Sequence, residues 1–213
     1  MKKSIFILTL LAVNLFSFAQ SDRYMSAMKA NIAAIDTSFK NPKNLLSLAN
    51  NFERIALAEK NQWLPYYYAA FCQVNYTYME PDKSKIDDIA DKATTLINRA
   101  DSLQPGNSEI SCIKSMIASA RMMVDPMQRY MEYGTESGAQ LEKAMQQDTG
   151  NPRPHYLKGM GLKYTPEQFG GGCKTAKEVL QQAADKYATF KPASDIAPNW
   201  GKERNEKFLN ECK

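Results

Sequence analysis

One histidine, His155, stands in the whole of the 213-residue chain. A metal or catalytic centre built on it would need Asp, Glu or Cys partners at helical spacing, and none is near. Set between Pro154 and Tyr156 at a helix start, it reads as a surface or packing residue. No nucleophile elbow of the Gly-x-Ser-x-Gly kind is present, so no acyl-transfer triad announces itself. No Cys-x-x-Cys pair is present either, which argues against a dithiol redox enzyme. Charge of one sign is also scarce. There are 27 basic and 23 acidic residues, a net charge of +4. That gives no electrostatic footprint for nucleic acid. Strand signals are poor, with no Asn-Gly or Asp-Gly turn between alternating runs. After the first twenty residues no stretch is apolar enough to cross a membrane.

Those first residues, MKKSIFILTLLAVNLFSFAQ, have a basic start at Lys2 and Lys3 and an apolar run from Ile5 to Phe16. Ser17 and Ala19 are small residues at the −3 and −1 positions of a cut after Ala19. This is the anatomy of a secretory signal peptide over residues 1–19. The apolar run, interrupted by Asn14, falls short of the roughly 20 residues of a spanning helix. The expected mature chain, 20–213, fits one domain. Without Lys2 and Lys3 it carries 25 basic and 23 acidic residues, a net charge of +2. A soluble, exported, periplasmic protein is expected, peripheral to a membrane at most. All four cysteines, Cys72, Cys112, Cys173 and Cys212, lie in that mature part, which an exporting compartment allows to pair.

Helical spacing fills the remainder, broken by Pro and Gly clusters. In DKATTLINRADSLQPGNSEI, Ala93, Ile97, Ala100 and Pro105 stand at offsets 0, 4, 7 and 12. Small residues seven apart let two helices approach closely, the bulky one between fills a groove, and Pro stops the helix. The same frame takes Ala49 and Ala56, then Ser137, Leu141 and Ala144, then Ala176, Leu180 and Ala183. First helices of these pairs are expected over Asp22–Asp36, Leu64–Met79, Ser108–Val124 and Pro154–Tyr164. A last helix over Asn199–Glu211 would cap the array, docking Trp200, Phe208 and Leu209. The fold class predicted is all-α: an α-solenoid of about four helix pairs with a C-terminal capping helix.

The repeat frame, with YTPEQFGGGCKTAKEVLQQAADKY, resembles exported tetratricopeptide-repeat proteins of two-membrane bacteria. The Pro-Glu-x-x-Gly-Gly loop is similar to that of the helical T-component proteins of TRAP-type transporters. The resemblance implies a binding solenoid with no catalytic residues to carry over.

The loop QFGGGCKT also invites a phosphate-binding reading. A phosphate loop places Gly six positions before Lys and immediately before it; those places hold Gln168 and Cys173 instead, and no strand leads in. The glycines read better as a tight corner between helices. Cys173, at the start of the following helix, is expected to pair with Cys212 at the end of the capping helix. Cys72 and Cys112, on successive first helices, either pair or remain buried thiols.

Two further groups bear on binding. Met122, Met123, Met127 and Met131 fall at helical spacing. Thioethers can hold Cu(I), but core filling or an adaptable surface is the favoured use. The segment WLPYYYAAFCQVNYTY is dense in aromatics, and three adjacent tyrosines cannot share one buried stripe. Tyr67, Tyr68 and Gln73 are therefore expected to line the concave groove where solenoids bind partners. The function expected is non-catalytic binding of a protein or peptide in the cell envelope, with no cofactor and no metal. The alternative is a component that binds a small, apolar molecule beside a transporter.

Overall fold

The computed structural model describes residues 22–212, so the expected signal peptide lies outside the described residues. A helix over 22–33 (α1) and a short one, Ile35–Ser38 (α2), lead into Pro42–Ala58 (α3) and Trp63–Thr77 (α4). Ile86–Leu103 (α5), Ser108–Met122 (α6), Pro126–Arg129 (α7) and Thr135–Gln147 (α8) follow. Arg153–Tyr164 (α9), Cys173–Thr189 (α10) and Lys202–Glu211 (α11) complete the array. No strand occurs among the described residues. The fold is all-α, as the spacing predicts.

Local sequence chemistry sets the helix starts. The Asn41 side chain accepts from the Lys43 amide at 3.1 Å, with Pro42 in the first turn. Asn107 caps α6 in the same way, accepting from the Glu109 amide at 2.8 Å. Packing runs in successive pairs: α3 against α4, α4 against α5, α6 against α8 and α9 against α10. The first helices α4, α6 and α9 also touch in succession, which is what stacking of pairs requires.

The small positions of the repeat are where the pairs close. Ala56, Ala100, Ala144 and Ala183 are all buried. Between α6 and α8 the approach is tight enough for Ser137 Oγ to bond both Ser115 Oγ and Ser119 Oγ at 2.8 Å. Phe52 of α3 stacks on Tyr68 of α4 with ring centroids 5.2 Å apart, worth about 0.5–1.5 kcal/mol beyond the area buried.

The glycine corner before α10 behaves as a turn. Gly170 and Gly172 take φ of 82° and 88°, and a Cβ on Gly171 would stand 2.1 Å from the Thr165 carbonyl oxygen. The disulfide Cys173–Cys212 is formed, tying the end of α11 to the start of α10. Cys72 and Cys112 are free and buried, and burial pushes both thiols well above their ordinary range.

Two elements depart from expectation. The capping helix starts at Lys202 and not at Asn199, because Gly201 turns left-handed with φ 100°. Trp200 therefore belongs to the preceding segment. The second departure is at Pro126. The helix before it ends at Met122, and an unforeseen one begins at Pro126, with Asp125 accepting from the Gln128 amide at 3.2 Å. That helix runs through a π turn, Tyr130–Gly134, directly into α8. Among the described residues no helix is long and apolar enough to span a membrane.

Candidate functional site

The first region to weigh is the face formed by α4. Tyr67, Tyr68 and Gln73, expected to line an open groove, are each at most 3% exposed. The segment 190–201 returns across the array and lies on the two tyrosines. Tyr68 donates to the Ile196 carbonyl at 3.0 Å, and Trp200 Nε1 donates to the Tyr67 hydroxyl at 2.7 Å. Trp200 packs its ring 5.1 Å from that of Phe71, and Ile196 and Pro198 are buried. We call this segment the strap. With the strap in place the two tyrosines, like the buried Gln73, present almost no side-chain surface to a partner.

A buried polar hub fastens the strap. Arg153, at the start of α9, is fully buried. Its Nη1 donates to Glu109 Oε1 at 2.8 Å, and its Nη2 donates to the Pro198 carbonyl. The rings of Phe190 and Trp200 lie 4.6 and 5.3 Å from the guanidinium carbon, so both ends of the strap cover it. Glu109 also accepts from Asn151 at 2.7 Å and from the Tyr67 hydroxyl at 3.2 Å. Burial pushes the Glu109 carboxyl up, and Arg153 opposes that shift. Burial likewise pushes the Tyr67 phenol well up, so it stays a neutral donor. The terminal nitrogens of Arg153 and the Glu109 carboxylate are satisfied by other groups of the chain, while Arg153 Nε is buried without a hydrogen-bond partner. The hub fastens the strap to α6 and α9.

The second region is the corner where α6 gives way to α7. Met123, Met127, Tyr130 and Met131, four large hydrophobic side chains within nine residues, are exposed, Met127 to 88% and Met131 to 79%. Three of them stand on the helix that Pro126 starts. Of the two uses foreseen for these methionines, the structure gives the adaptable surface. The π turn shapes the corner. A Cβ on Gly134 would come 2.8 Å from the Tyr130 ring and 3.2 Å from Met122 Sδ. Gly134 therefore lets the Tyr130 ring rest on the helix backbone beside that sulfur.

Charges hold the corner to the array. Arg129 donates in a two-pronged fashion to Asp87 at 2.8 and 2.9 Å, and Arg121 donates to Asp91 at 2.5 Å. The Arg129 hydrogen bonds hold the Asp87 carboxyl below its usual range. Lys83 reaches over to the Val124 carbonyl at 3.3 Å. Two further large hydrophobics, Tyr164 and Phe169, are exposed towards the other end of the chain, with Lys163 over the Tyr164 ring.

His155 is half-buried, with Nδ1 lacking a hydrogen-bond partner. Burial, then Lys186 and Lys158, lower its pKa. Among the described residues no group of three or more His, Cys, Asp or Glu is placed to hold a metal ion. Sequence reasoning missed Tyr130, because the repeat frame puts no helix between Val124 and Ser137, where α7 and the π turn lie. It missed Arg153 and Glu109 because their partners are about 45 residues away.

Fold and sites together define a class: a stacked array of helix pairs, its inner face closed by its own C-terminal strap, with an exposed thioether and phenol corner. Among solved structures the chain is similar to the HusA haemophore from Porphyromonas gingivalis. The two are 35% identical, the match covers 89% of this chain and 92% of that one, and the TM-score is 0.80. At that identity and coverage, the chain belongs to the family of the HusA haemophore. No protein-family model and no curated protein matches it.

Proposed function

We propose that this protein is a non-catalytic, exported carrier of haem or a closely related flat tetrapyrrole, held on the corner formed by Met123, Met127, Tyr130 and Met131. The observation that carries the reading is that corner. A soluble protein seldom groups large apolar side chains in the open without a ligand or partner for them. Thioethers on flexible stems adapt to a flat apolar face, and a tyrosine ring adds stacking area with a polar edge. The family relationship supports the ligand class, since the relative is named as a haemophore. The two ligand classes that the sequence raises are then unequal. A small apolar molecule has an exposed surface ready for it, whereas a peptide in the concave groove would have to displace the strap.

Export to the periplasm, from the leader over residues 1–19, belongs to the same proposal. So does the resemblance to tetratricopeptide-repeat proteins, in which binding is done by a surface on a stacked scaffold. The test is a titration of the protein spanning residues 20–213 with haem, followed by the Soret absorbance. Saturable binding at a fixed stoichiometry is expected. An absorbance change no different from that of haem added to an unrelated helical protein would overturn the reading.

A further inference from the structure

Haem is apolar on its faces but carries two carboxylates at one edge, and an apolar corner alone would leave that edge to water. The geometry points to Lys83 as the residue that takes a ligand carboxylate at the Met-rich corner, making the site selective for tetrapyrroles with free acid groups. This inference rests on the corner being the binding site.

Four cations stand around the corner: Lys83, Lys85, Arg121 and Arg129. Arg129 spends both terminal nitrogens on Asp87, and its Nη1 also donates to the Arg121 carbonyl at 3.2 Å. Arg121 is bonded to Asp91 and lies 3.7 Å from Asp87. A ligand carboxylate arriving at either guanidinium would compete with an aspartate already in place. Lys85 is paired with Asp82 at 3.3 Å. Lys83 has no carboxylate partner among the described residues, and its ammonium sits on the Val124 carbonyl, one residue beyond Met123. An ammonium has three donors, and this contact uses one. The 3-10 turn Lys83–Lys85, fixed by Asp82 accepting from the Ser84 amide at 3.1 Å, sets where the lysine stem leaves the backbone. A charged donor thus stands beside the apolar corner with hydrogen-bonding capacity to spare.

An exposed pair of this kind is worth little in absolute terms, so the effect is read as a preference. Protoporphyrin IX and its dimethyl ester share the same apolar faces and differ in acid groups. The wild-type protein should bind the diacid about 2–5-fold more tightly than the ester. Lys83→Met should remove that preference, and Lys83→Arg should keep it. The preference should also shrink as salt is raised. If neither porphyrin binds, the corner reading itself fails. If both bind the wild type equally, or Lys83→Met retains the preference, the corner reading stands and the assignment of Lys83 is overturned.

Discussion

The strap-covered face and the methionine corner differ in what the chain leaves exposed. Tyr67, Tyr68 and Phe71 belong to an aromatic run that looks like a recognition surface, yet the chain covers it with Ile196, Pro198 and Trp200. The methionines read as core filling or as an adaptable surface, and Met127 and Met131 stand exposed. The difference lies in who supplies the partner. At α4 every hydroxyl and ring finds one within the chain. At the corner Met127 and Met131 stay exposed, while the guanidiniums of Arg129 and Arg121 beside them are paired with aspartates. Aromatic density therefore marks a folding surface here, and unmatched thioethers mark the candidate binding surface.

That contrast can be broken most forcefully at Arg153. Arg153→Met would leave Glu109 buried without its counter-charge, at a cost of about 3–5 kcal/mol. Urea denaturation should show a lower midpoint, and adding Glu109→Leu should recover part of the loss. A midpoint unchanged by Arg153→Met would mean that the hub does not fasten the strap. Next comes the disulfide. Replacing both Cys173 and Cys212 with Ser should cost about 2–4 kcal/mol, with faster amide exchange in α11. Neither change touches the corner, so ligand affinity at a temperature where the variants remain folded should hold.

The smallest effect sharpens the other side of the comparison. The Asp87 carboxyl is held below its usual range by Arg129, so its contribution to stability is fully present above about pH 4 and fades as pH falls through the lowered value. Asp87→Asn should lower the melting temperature slightly at pH 7. The gap to wild type should close in more acidic buffer. A gap that widened on acidification would contradict the pairing.

Much of the fold was legible because close helix packing demands small residues at fixed intervals. Ala56, Ala100, Ala144 and Ala183 declare it, and each is buried. The Cys173–Cys212 pairing was legible for a related reason, since a capping helix that folds back brings its end to the last pair. The strap was not legible. Segment 190–201 has no periodicity, and its contacts to Tyr67 and Tyr68 cross about 130 residues. The corner was half legible. The methionine spacing was visible, but the repeat frame assigned no helix to 126–134, and a π turn leaves no periodic signal of its own. Gly134, which lets Tyr130 lie on the backbone, carries meaning only once that turn is known.

The most direct test compares haem titrations of the wild type and of a Met127→Ala, Tyr130→Ala, Met131→Ala triple variant. These side chains are exposed, so circular dichroism and the melting temperature should change little. The dissociation constant should rise by about tenfold or more, as loss of a central apolar contact set implies. An unchanged dissociation constant in the folded triple variant, with haem still bound at the same stoichiometry, would contradict the placing of the ligand on this corner.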